Sequence, residues 1–106
     1  MDAAAWDGLE REAERSGLVP VIVTLAVEWE PEGDLAPQRR AAQQRRIADA
    51  RRALLDELDG TQFANEYGFA AAPQMTMSAG TDAINVLRRS RHVHAAVQDK
   101  PFPLGL

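Results

Sequence analysis

Residues 19–27 read VPVIVTLAV. The stretch carries no charge, and valine, isoleucine and threonine make most of it β-branched, which favours an extended backbone. Alternation puts Val21, Val23, Leu25 and Val27 on one face of a strand and Ile22, Thr24 and Ala26 on the other. A strand that is apolar on both faces is as a rule covered on both. The stretch therefore predicts a strand and asks what lies against each side of it.

Working outward, residues 3–15 predict a short helix with Trp6, Leu9 and Ala13 on one face, stopped at Ser16-Gly17. EWEPEGDLAP, residues 28–37, is a loop by its prolines, glycine and acids. A long helix follows over residues 37–58. Its stripe is Ile47, Leu54 and Leu58 with Ala50 beside it, and Gly60 ends it. TQFANEYGFA, residues 61–70, predicts a strand with Phe63, Tyr67 and Phe69 on one face. Ala71, Ala72 and Pro73 make the turn, and QMTMS, residues 74–78, returns with Met75 and Met77 on one side. Gly80 precedes a helix over residues 81–89 that carries Ala83, Ile84 and Leu87. Residues 93–99 form the last strand.

After the leading helix the order is strand, helix, strand, strand, helix, strand. That is the split βαβ, ferredoxin-like plan of the α+β class. It predicts a four-stranded antiparallel sheet with two helices on one face and a short N-terminal helix besides. Val21, Val23, Leu25, Ile47, Leu54, Leu58, Met75, Met77, Leu87 and Val93 are the expected core. The other sheet face stays open unless a partner or the leading helix covers it.

Composition narrows the function. At 106 residues the chain suits one domain with one modest core, and its net charge of −4 argues against general nucleic-acid binding. The absence of cysteine removes disulfides and thiol nucleophiles. No apolar run is long enough for a membrane span, so no membrane partner is expected. MDAAAWDGLERE has no basic segment leading into an apolar one, so it does not read as a secretory signal. The arginine run QRRAAQQRRIADARR spreads around a helix, and Arg45–Asp49 and Arg52–Asp56 stand at ion-pairing spacing. It reads as a solvated face without aromatic residues for base stacking. His92 and His94 could share one face of a strand, but no third metal ligand stands at a suitable spacing. Ser16, Ser78 and Ser90 lie outside any nucleophile-elbow pattern, and no glycine-rich phosphate loop occurs. The reading is a binding protein and not an enzyme, with no catalytic residues, metal or cofactor.

The stretch over residues 67–100, YGFAAAPQMTMSAGTDAINVLRRSRHVHAAVQDK, resembles the propeptide, or proteinase-inhibitor, family of the subtilisin-like serine proteases. The resemblance rests on the aromatic-Gly-Phe-Ala run at Tyr67 to Ala70, the strand from Met75 to Ala79, Leu87, Val93 and the closing Gln98-Asp99. VPVIVTLAV is similar to the family's opening strand. In all it covers residues 19–100. The family often closes its last strand with Glu-Asp, and here Gln98 replaces one of those carboxylates. The long helix is also richer in arginine.

The resemblance implies a ferredoxin-like domain that lays its open sheet face on two helices of a subtilisin-like serine protease, in cis or in trans. Ile22, Thr24 and Ala26 would lie in that contact, and Asp99 would cap helix N-termini of the partner, where unpaired N–H groups meet a carboxylate well. The tail, residues 100–106, would enter the active-site cleft as an added strand. In one register Leu106 fills the primary pocket, with Gly105, Leu104 and Pro103 behind it. In the other, Gly105 takes that pocket and Phe102 the fourth. The chain thus divides into an N-terminal helical extension (residues 1–18), a propeptide-like inhibitor domain (19–100) and an extended tail (101–106). The implied role is intramolecular chaperone and inhibitor up to zymogen activation, or free-standing inhibitor, in a secreted or extracytoplasmic setting. The alternative is a ferredoxin-like regulatory or ligand-binding module that dimerises through the same open face.

Overall fold

A computed structural model describes residues 1–100. The strands are β1 (Val19–Leu25), β2 (Phe63–Gly68), β3 (Gln74–Ala79) and β4 (Val93–Gln98), and the helices are α1 (Ala3–Ser16), α2 (Pro37–Glu57) and α3 (Thr81–Arg89). The four strands form one antiparallel sheet in the order β2-β3-β1-β4. With the element order βαββαβ after α1, this is the ferredoxin-like α+β arrangement.

Local chemistry explains most boundaries. The Asp2 carboxylate accepts a hydrogen bond from Ala5 N–H at 3.0 Å and caps α1. Gly17, at φ 86°, closes that helix in a conformation that L side chains avoid. Pro37 opens α2 at its first turn, where the missing N–H costs nothing. β1 ends at Leu25, two residues before the expected end. Leu25 N–H still bonds Pro73 O on the β3 side and Ala26 N–H bonds His92 O on the β4 side, and the strand ends where Val27 N–H turns back to Leu25 O at 2.9 Å.

The core is a single cluster. Val19, Val21, Val23 and Leu25 meet Ile47, Leu54 and Leu58 of α2, Ala83, Ile84 and Leu87 of α3, and Met75, Met77, Ala79 and Ala96 of the sheet. Of the ten expected core residues only Val93 is incompletely buried. Trp6, Leu9 and Ala13 of α1 belong to the same cluster. Arg88 of α3 ties α1 down further through ion pairs to Asp7 (2.8 Å) and Glu10 (3.3 Å). All three helices therefore share one side of the sheet. The leading helix does not cover the open face.

Two bulges depart from regular alternation. In β2, Ala64 pairs with Ser78 and Tyr67 with Thr76, so Asn65 and Glu66 stand opposite Met77 alone. Asn65 takes φ 55°, a left-handed conformation that asparagine tolerates better than most residues. One extra residue reverses the facing of everything after it. Phe63 pairs with buried Ala79 and packs on the core, while Tyr67 faces the other way. The expectation that Phe63 shares a face with Tyr67 and Phe69 is corrected here. In β4, Thr24 pairs with Ala95 but Leu25 with Val93, which leaves His94 as the extra residue.

Candidate protein-docking face

The side of the sheet away from the helices is built row by row from the strand registers. The central row runs Tyr67, Thr76, Ile22, Val97 across β2, β3, β1 and β4. Beside it lie Gln74, Thr24 and Ala95 in one direction and Ala64, Ser78 and Pro20 in the other. Asp99 extends the latter row, because its N–H bonds Pro20 O at 2.8 Å. Asp99 is the only charged residue in these rows. Tyr67 is 62% exposed and Val97 56%, and Phe69, 41% exposed, sets its ring edge-on to Tyr67 at 5.3 Å. A patch whose one charge stands at its edge, with several large apolar side chains in water, is what a protein-contacting surface presents.

Of the expected contact residues, Ile22 and Thr24 lie in the middle of this patch and Asp99 at its β4 end. Ala26 lies past the last rung of β1, beside a shallow cavity of about 370 Å³ shared with Thr24, Pro73 and His94. Phe102, Pro103, Leu104, Gly105 and Leu106 lie outside the described residues. Tyr67 and Phe69 join the patch through the β2 bulge, which periodicity does not reveal.

The remaining features are occupied with the fold. The Gln43 side-chain amide is buried and bonds both backbone groups of Glu30, at 2.9 Å each. Its position on the stripe of Ile47 and Leu54 was the one signal for this. Around it a cavity of about 550 Å³ is lined by Trp29, Leu35, Arg39, Ala42 and Arg46, with Arg39 paired to Glu30 at 3.2 Å. The α2 arginines make other contacts than the expected i,i+4 pairs. Arg40 reaches Leu35 O and Arg51 reaches Phe69 O, while among the described residues neither Arg45–Asp49 nor Arg52–Asp56 closes within 4.0 Å. Ser90, nearly buried, donates to Glu57 at 2.5 Å and accepts from His92 N–H, a structural role at the start of β4. Among the described residues no three His, Asp or Glu side chains group to hold a metal, and no helix is long and apolar enough to cross a membrane.

Comparison with protein-family models, with curated proteins and with solved structures finds no match to this chain.

Proposed function

We propose that this domain binds and inhibits a subtilisin-like serine protease, either as the propeptide of that enzyme or as a free-standing inhibitor. The observation that carries the reading is the sheet face left bare by all three helices, uncharged except for Asp99 at one end. An apolar protein surface fits its middle. A helix N-terminus fits beside Asp99, because unpaired N–H groups and the positive end of the helix dipole attract a carboxylate. A ligand that binds only the native enzyme also lowers the free energy of that state, which is how a bound propeptide assists folding.

The same face supports a second reading. Ile22, Val97 and Tyr67 of one chain could meet those of a second copy across a two-fold axis, as in an isologous dimer. One experiment separates the two. The native chain is titrated against a broad-specificity subtilisin, and its mass in solution is measured by sedimentation. Stoichiometric inhibition by a monomer supports the inhibitor. A dimer without inhibition supports the regulatory module and overturns the proposal.

A further inference from the structure

The turn that follows the β2 bulge is held from the helix side by two long-range contacts. Arg51, projecting from α2, passes under Gly68 and donates from its Nη2 to Phe69 O at 2.6 Å. Only glycine allows this, since a methyl group at position 68 would overlap the guanidinium. Arg51 Nε is buried there without an acceptor, so the placement carries a desolvation cost. Two residues further on, Trp29 Nε1 donates to Ala71 O at 2.8 Å, and its own loop is pinned to α2 by Gln43. On the opposite face, at the same residues, stands the Tyr67–Phe69 edge-to-face pair, exposed to water.

We propose that Tyr67 and Phe69 form a preorganised aromatic anchor of the docking face, and that Arg51 and Trp29 are positioning residues that hold it rigid in the free protein. The inference rests on the inhibitor reading and adds to it where the binding energy is concentrated. Tyrosine buries a large rigid area with few rotatable bonds, and such side chains dominate interfaces when fixed before contact. The occupant is a protein surface that is apolar opposite β2 and positively polarised opposite Asp99, because the face has its aromatic residues at one edge and its single charge at the other. A second copy of this chain would have to satisfy Asp99 from an otherwise uncharged face, which fits less well.

The test uses the full chain, a broad-specificity subtilisin and five variants. Tyr67→Ala removes the anchor and should raise the inhibition constant about tenfold or more. Arg51→Met and Trp29→Phe leave Tyr67 in place. Each should raise the constant severalfold and speed hydrogen exchange at the Phe69 amide, with the far-UV spectrum unchanged. Arg51→Lys, which can still donate to Phe69 O, should recover part of the loss. Should Arg51→Met fail to fold, Trp29→Phe carries the test with the same two readouts. A tenfold loss in Tyr67→Ala with no change in the positioning variants overturns the bracing role alone. Full inhibition by Tyr67→Ala together with loss in Thr24→Lys overturns the anchor and keeps the face. No inhibition by the native chain overturns the inhibitor reading and the anchor with it, while the exchange measurement still decides whether Arg51 and Trp29 hold the turn.

Discussion

Gln43 of α2 and Glu30 of the loop after β1 are joined by two hydrogen bonds: Gln43 Oε1 accepts from Glu30 N–H and Gln43 Nε2 donates to Glu30 O. A buried side-chain amide thus takes the place of a neighbouring strand. It spares its own polar atoms an unsatisfied burial and fastens a loop that carries Trp29. Gln43→Met keeps the volume and removes both bonds. At a net value of about 0.5–1.5 kcal/mol each, the loss should be ~1–3 kcal/mol. Urea denaturation measures it, and an unchanged midpoint would mean that the loop is held by other contacts.

The core makes a larger demand. Leu54 is fully buried beneath the sheet, and Leu54→Ala should destabilise the domain by about 2–5 kcal/mol, depending on how far its neighbours collapse into the space. Domains of this size hold roughly 5–15 kcal/mol in total, so the variant should melt markedly lower and could lie near its unfolding threshold at 37 °C.

Trp6 places α1 under the same rule. Although it lies outside the βαββαβ unit, Trp6 is buried in the common core with Leu9 and Ala13. Trp6→Ala should cost on the order of 3–5 kcal/mol. Thermal unfolding should show one transition with a lowered midpoint. A separate early transition, with the main one unmoved, would show α1 to be an independent appendage.

At the docking face, Thr24→Lys sets a charge in the middle of the uncharged rows, where a partner would have to desolvate it. Asp99→Ala removes the single carboxylate. Thr24→Lys should raise the inhibition constant about tenfold or more without altering the circular-dichroism spectrum. Asp99→Ala should cost roughly 1.5–3 kcal/mol of binding, the value of a hydrogen bond to a charged group. Inhibition indifferent to both would move the contact away from this face.

Asn65 tests the bulge. Its φ of 55° penalises a β-branched residue, so Asn65→Val should destabilise by about 1–2 kcal/mol, whereas Asn65→Gly should be close to neutral. Chemical denaturation of the two variants compares them. Equal stability of both would mean that the bulge is not held in the left-handed conformation.

The helix stripes at Trp6, Leu9 and Ala13 and at Ile47, Leu54 and Leu58, and the alternation from Val19 to Leu25, are legible because each is a local period matched to one backbone geometry. Element order then leads to the ferredoxin-like plan, since short connections leave few ways to pair four such strands. Three matters were decided only in three dimensions. The placement of α1 beside α3 depends on contacts such as Arg88 with Asp7, between residues far apart in the chain. The pairing of Gln43 with the Glu30 backbone joins a helix to a distant loop, which its place on the apolar stripe does not announce. The facing of Tyr67 depends on one extra residue between Ala64 and Tyr67. A period of two carries no memory of an inserted residue, so the strand's own letters point Tyr67 inward with Phe63. Only the pairing of β2 against β3 turns it to the open face.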